Sequence, residues 1–417
     1  MRKLLLCVTM IFAILMTGCN NEAITIQDTQ DSKKSLEFII LEDEAVSAAT
    51  KFLNKGENLE SRSTANAKVE TIWRNIKLDS KQSRNVSEVE IVEVPVYVVS
   101  YIDENNTPNG FVVTVGDKRV IDRVLVFSDE GNWDLSGIPE FEELFWDNVD
   151  KSLTQTLSES DIDMCDTYEY EEQDSIEKFA VNTFLTWGQS PSPYNDSVPL
   201  CTSTNANMPA GCVAVAMGQI MAHHKRPLTG TYIHPRYNRM VNTSYNWTKM
   251  KASTDARILP LTEGRSGVAN LLAEIGYKVD MDYGCNGSGA YTWDVPNAFS
   301  SMGYNTSSAI NFNRDSILNN INDNLPVYIS GDNGTVGHAW VIEGYKLLVN
   351  NLIYGRDCPD GSGESIPPTI IDYNVNKYYL YFNLGWHNNK NNFYLADTFT
   401  TWMYPSNIKI VCNIQPK

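Results

Sequence analysis

The amino-acid sequence predicts an α+β protein of two domains, and three observations carry that expectation. The first is the run 211–227, in which Val213, Ala216, Met217, Ile220 and Met221 recur at helical spacing. Small residues (Ala214, Ala216, Gly218) let this helix be buried on most sides, Lys225 and Arg226 suit its C-terminal end, and Pro227 stops it. The second is 325–345, which reads as strand, glycine-rich turn (331–337) and strand, with His338 opening the second strand. The third is an N-terminal half that reads as one helix followed by β runs. At 417 residues, 42% hydrophobic and 11% aromatic, the chain can fill a core in each of two globular domains.

Taken from the start, Met1-Arg2-Lys3 and the apolar run 4–16 predict an export signal too short to span a membrane. It ends in Met16-Thr17-Gly18-Cys19, which resembles a bacterial lipoprotein box and implies a lipidated Cys19. Residues 20–36 read as a polar tether. A helix is expected over 39–53, with Ala45, Val46, Ala48, Ala49 and Phe52 on its apolar face, then β runs over 86–100, 111–115 and 120–127 around the turn cluster 105–110. The formal net charge of −18 is uneven: residues 20–175 hold 34 acidic against 14 basic side chains, and residues 176–417 hold 17 of each. Neither half offers the basic surface that nucleic acid requires. The acidic, core-poor stretch 157–174 is expected to be an exposed linker and the place of an activating cut.

Chemistry concentrates further on. Cys212 falls in the first turn of the 211–227 helix, where unpaired N–H groups and the positive dipole end favour a thiolate. A buried structural cysteine would give the same local pattern. His338, at the mouth of a strand after a flexible turn, changes the balance, because a thiol and an imidazole so mounted form a thiol protease pair. Cys201 reads as structural. Of Cys165, Cys201, Cys285, Cys358 and Cys412, at most four can pair, and no metal spacing occurs among them. His223 and His224 are adjacent on a helix and point about 100° apart, so they cannot share an ion. A helix over 267–276, a glycine-rich loop over 282–289 bordering a substrate groove, a short helix over 316–324 and a strand over 378–384 complete the reading. Residues 347–377 read as an insertion, either bordering the cleft or forming a solvated hairpin.

Six blocks in order carry a resemblance. They are Trp187-Gly188-Gln189-Ser190-Pro191, Gly211-Cys212-Val213-Ala214, Tyr245-Asn246-Trp247, Val279-Asp280-Met281-Asp282-Tyr283-Gly284, Gly337-His338-Ala339 and Asn383-Leu384-Gly385-Trp386. Together they resemble the streptopain family of bacterial papain-like cysteine proteases. The resemblance implies a papain-like two-lobed catalytic domain over 173–417, a signal over 1–19, and a small α+β inhibitory prodomain over 20–172 ending in the acidic linker. It assigns Cys212 as nucleophile, His338 as its partner and Gln189 as an oxyanion donor. Asn383 is expected to orient the His338 ring and Trp386 to shield it. Leu384 and His387 stand where the family usually has Trp and Gly. The implied function is an exported cysteine endopeptidase zymogen, lipid-anchored in a bacterial cell envelope and acting on protein or peptide substrates. Its prodomain is the intramolecular inhibitor, and no cofactor or metal is required. A papain-like amidase of cell-wall peptides and a catalytically weak surface-binding protein are the alternatives.

Overall fold

The first helix, α1 (Glu42–Leu53), forms where the sequence predicts it. Glu42, Asp43 and Glu44 occupy its first turn and Lys51 its last, each at the favourable dipole end, and Ala45, Val46, Ala49 and Leu53 are buried. The computed structural model describes residues 37–54, 62–79, 89–182, 184–260, 262–358, 361, 363–386, 391–399 and 407–417, and Phe38–Lys417 form one unit. The export signal, Cys19 and His387 lie outside the described residues.

An antiparallel meander follows α1: β1 (Ala67–Asp79), β2 (Val89–Ile102), β3 (Pro108–Val115) and β4 (Val124–Ser128). Then comes α2 (Pro139–Glu159), which the sequence reading passed over. Its signals are plain in retrospect. Pro139 opens it, Glu140 and Glu142 sit in its first turn, and Phe141, Phe145, Val149, Leu153 and Leu157 recur every fourth residue as its buried face.

The expected linker 157–174 is a different object. It is the last turn of α2, a short connection, and most of strand β5 (Asp166–Phe179), so the expected boundary at 172/173 falls inside a strand. Tyr168, Tyr170 and Ile176 supply β-forming side chains, and the Tyr168 ring stands 5.2 Å from Tyr354 across the pair. Most of the acidic side chains point to solvent, as expected, while the backbone is tied down.

The C-terminal half supplies α3 (Cys212–His224), α4 (Thr262–Lys278), α5 (Arg314–Asn322), and the strands β6 (Val327–Asp332), β7 (Gly337–Arg356), β8 (Ile366–Asn383), β9 (Asn392–Leu395) and β10 (Lys409–Val411). His234 closes the first strand of a hairpin formed by Thr229–His234 and Arg239–Ser244. Among the described residues one eleven-stranded sheet runs through both halves in the order β1-β2-β3-β4-β9-β8-β7-β6-β10, ending on a two-residue strand at Ile310–Asn311, with β5 also paired to β7. The halves join where β9 pairs β4, Phe393 opposite Phe127 with their rings stacked 5.1 Å apart. The stretch 347–377 is a hairpin made by the outer parts of β7 and β8, and β5 adds to its β7 edge from Arg356↔Asp166 to Gly344↔Phe179. A Cys165–Cys358 disulfide pins the start of β5 to the end of β7.

Three buried apolar clusters organise these layers. One gathers α2 and β1–β4 together with Trp340, Ile342, Phe382, Leu384 and Tyr394. A second joins α1 to Leu348, Tyr379, Phe393 and Leu395. The third, around α3 and α4, draws on residues 185–414 alone.

Candidate active site

Cys212 is held by its approach as much as by its helix. Gly211, the residue before α3, has φ +93°, a region that side chains resist, and a Cβ there would meet Met281 Sδ at 2.7 Å. The Ser288 hydroxyl donates to the Pro209 carbonyl at 2.7 Å, and the Ala210 N–H donates to the Gln189 carbonyl at 2.9 Å. A Cys201–Cys285 disulfide clamps the loop before Cys212 to the glycine-rich loop over 282–289. Among the described residues the cysteines form two disulfides, with Cys212 and Cys412 free. Residues 213–222 of α3 are all buried, which fixes the helix end on.

Burial pushes the Cys212 thiol up to about 11; the N–H groups of Ala339, Val213 and Cys212 itself pull it down, and Glu140 on α2 pushes it further up. Cys212 packs against the cluster that holds Ala339 and Val341, so β7 runs alongside the start of α3. Strand alternation then decides where His338 goes. Ala339 and Val341 pack into the α3 cluster, whereas Trp340 and Ile342 pack into the cluster shared with α2. His338 takes the second face: its ring lies 6.0 Å from Phe141 of α2 and stacks on Trp340 at 6.0 Å. Its Nε2–H donates to the Leu384 carbonyl at 3.0 Å. Burial pushes its pKa down to about 4, with the Leu384 carbonyl pulling the other way. Cys212 and His338 share no hydrogen bond among the described residues. Burial thus favours the neutral form of both groups.

The remaining expected residues are near but differently employed. Asn383, 1% exposed, does not reach the imidazole; its amide donates to the Leu185 carbonyl (2.8 Å) and Glu343 Oε1 (2.9 Å), and its Oδ1 accepts from the Gly385 N–H (3.2 Å). The ring is oriented instead by the backbone carbonyl of the next residue. A carbonyl does not depend on the side chain, so Leu384 in place of Trp leaves that bond intact. Trp386 is half-buried against the cluster that holds His338's neighbours. Gln189 is half-buried and lies beside the nucleophile loop through its backbone bond to Ala210. Sequence reasoning missed Phe141, Glu140, Glu343 and the Leu384 carbonyl. The first two had a signal in the α2 pattern; Glu343 read as one more strand residue, and a carbonyl has no signature. Among the described residues no cluster of His, Cys, Asp and Glu is set to hold a metal ion.

A thiol at a helix start beside a histidine strand, with the histidine packed under a helix of the N-terminal region, is an arrangement a latent thiol protease would have. The peptidase C10 family profile matches residues 187–394, and the profile of the Spi protease inhibitor matches residues 37–153. The chain belongs to the peptidase C10 family. It is therefore a C10 cysteine protease sequence carrying its own inhibitor-type region, hereafter the prosegment. The chain is 29% identical over 233 residues to thiol protease/hemagglutinin PrtT of Porphyromonas gingivalis, covering 51% of this chain but only 23% of that protein. It is 28% identical over 283 residues to streptopain of Streptococcus pyogenes, covering 58% of this chain and 67% of that one. Prointerpain A of Prevotella intermedia shares the fold, with a TM-score of 0.51 at 20% identity over 82% of this chain and 100% of that one.

Proposed function

We propose that this C10 chain is the zymogen of an endopeptidase acting on extended protein substrates, with Cys212 as nucleophile and His338 as its acid–base partner. What supports the reading is the mounting of Cys212: it opens a helix whose residues 213–222 are all buried, with the histidine strand packed beside that helix. Because Nε2 of His338 is committed to Leu384, Nδ1 is the nitrogen free to take the thiol proton. Once the prosegment leaves, that transfer gives a thiolate and an imidazolium. The sulfur attacks the scissile carbonyl, a C–S bond forms, and the negative charge moves to the carbonyl oxygen. The Cys212 N–H and the Gln189 side-chain amide are the donors we assign to that oxygen, each worth about a hundredfold in rate. Collapse breaks the C–N bond, and the imidazolium gives its proton to the departing amine. Water then donates a proton to His338 and attacks the thioester, which returns the thiol and the carboxylic product.

The prosegment serves as intramolecular inhibitor in this reading, through Phe141 against the imidazole and Glu140 near the thiol. We further propose export to the bacterial envelope and lipidation at Cys19, on the sequence of residues 1–19 alone. The test of function is the mass of the processed domain after an epoxide thiol-protease inhibitor. One adduct on wild type and none on Cys212→Ser is expected; no adduct on processed wild type would overturn the proposal and favour a binding protein. Release from casein with none from peptidoglycan is expected, and the reverse would favour an amidase. Lipid labelling lost in Cys19→Ala tests the anchor, and labelling that survives would refute it.

A further inference from the structure

The mechanism above leaves one buried ionisable group on β7 unused. Glu343 is 3% exposed and five residues beyond His338 on the same strand. The β7–β8 register slips between Ile342 and Gly344, so Glu343 is the extra residue of a β-bulge. Bulges re-aim side chains beside active sites, and this one delivers the carboxyl to Asn383. There the two N–H groups of Asn383 are divided between the Leu185 carbonyl (2.8 Å) and Glu343 Oε1 (2.9 Å). With both directions taken, Oδ1 is left pointing at the Gly385 N–H (3.2 Å). That N–H belongs to the same planar peptide unit as the Leu384 carbonyl. Holding one end of a trans peptide unit aims the other, in the opposite direction. The aimed carbonyl is the one that receives Nε2–H of His338 at 3.0 Å.

We propose that Glu343 is a positioning residue for the catalytic imidazole, acting through Asn383 on the 384–385 peptide unit. The inference rests on the protease reading above and deepens it. It gives Asn383 an indirect role, bracing the peptide unit, and it gives the bulge a purpose. A purely structural carboxyl would be an odd choice here. Among the described residues its Oε2 and both side-chain polar atoms of buried Gln219 have no partner, and both residues line a cavity of about 190 Å³. Burial pushes the Glu343 pKa up to about 8, against the pull of Asn383. The titratable groups lining the same cavity are His223 and Lys225 at the end of α3 and Lys251, whose ammonium donates to the Ala222 carbonyl. None of them forms an ion pair with Glu343 among the described residues.

The experiment uses processed, active enzyme. Glu343→Met removes the acceptor at nearly constant length, and Glu343→Gln keeps an accepting oxygen. The expected result is a fall in kcat of about tenfold to a hundredfold for E343M, the size seen when the support of a functional imidazole is lost. KM should stay within about twofold, and the acid limb of kcat/KM should move. The melting temperature of E343M should fall only modestly, since one buried Asn383 N–H loses its acceptor while the partnerless Oε2 is removed with it. E343Q should stay within about threefold of wild type with its acid limb unmoved. E343M added to Asn383→Ala should cost nothing further if the two act as one relay. Indifferent kinetics in E343M would overturn the inference, as would an equal fall in E343M and E343Q, or a loss confined to KM and melting temperature. Wild type that carries no epoxide adduct would instead sink the protease reading, and the inference with it.

Discussion

The Cys212 side and the His338 side of the candidate site draw their cores from different parts of the chain. The Cys212 side packs on residues 185–414 alone, and a disulfide and a hydrogen-bonded loop brace its nucleophile. The His338 side shares its core with α2 and β1–β4, and its imidazole lies against Phe141. The scaffold that mounts Cys212 is therefore complete without the prosegment, while the His338 ring sits in an environment that the prosegment helps to build. Most of the prosegment's packing falls on the His338 side, with Glu140 acting on the thiol through its charge, and the sheet junction at β4–β9 makes the His338 side continuous with the prosegment.

Substitutions should separate the two sides. Cys212→Ser and His338→Ala in processed enzyme should each lower kcat/KM by about 10⁴-fold or more, measured on a peptide substrate, because members of such a pair fail as a unit. Residual activity within a hundredfold would break the assignment. In the full-length chain, Phe141→Ala should cost about 3–5 kcal/mol by denaturant unfolding. It should also quicken alkylation of Cys212, and a stability loss without faster alkylation would move latency away from the imidazole. Removing the Cys201–Cys285 clamp by paired Ser substitution should cost about 4 kcal/mol, given the 84-residue separation. That loss should appear in processed enzyme as strongly as in the precursor. The smallest effect is on cleavage. A cut within 166–179 leaves the prosegment joined to the catalytic half through Cys165–Cys358. The two pieces should separate on reducing gels and travel together without reductant; free pieces without reductant would place the cut before Cys165.

Much of this was legible in the sequence because short-range chemistry is written locally. The Cys212 helix, the His338 strand, α1 and the two β runs that became β3 and β4 each announce themselves by period and punctuation. The linker misled because its acidic side chains do face water; what makes it a strand is β7 on one edge and a disulfide partner 193 residues away. The role expected of Asn383 moved by one residue for a similar reason. A side-chain amide is visible in a sequence, whereas the backbone carbonyl of Leu384 is not. The side His338 takes was hidden too. A strand pattern gives two faces but not which face meets α3, and α2, which decides it, had been overlooked.

The pH dependence of Cys212 alkylation, compared between the full-length chain and the processed, reduced enzyme, bears most directly on the claim that the pair is silent until the prosegment leaves. In the precursor the thiol is held up to about 11, so alkylation should be slow at pH 7 and climb only in the alkaline range. In the processed enzyme the imidazolium should stabilise the thiolate, and alkylation should be fast at pH 7 with a midpoint below neutrality. A precursor alkylated at pH 7 as fast as the processed enzyme would contradict the account.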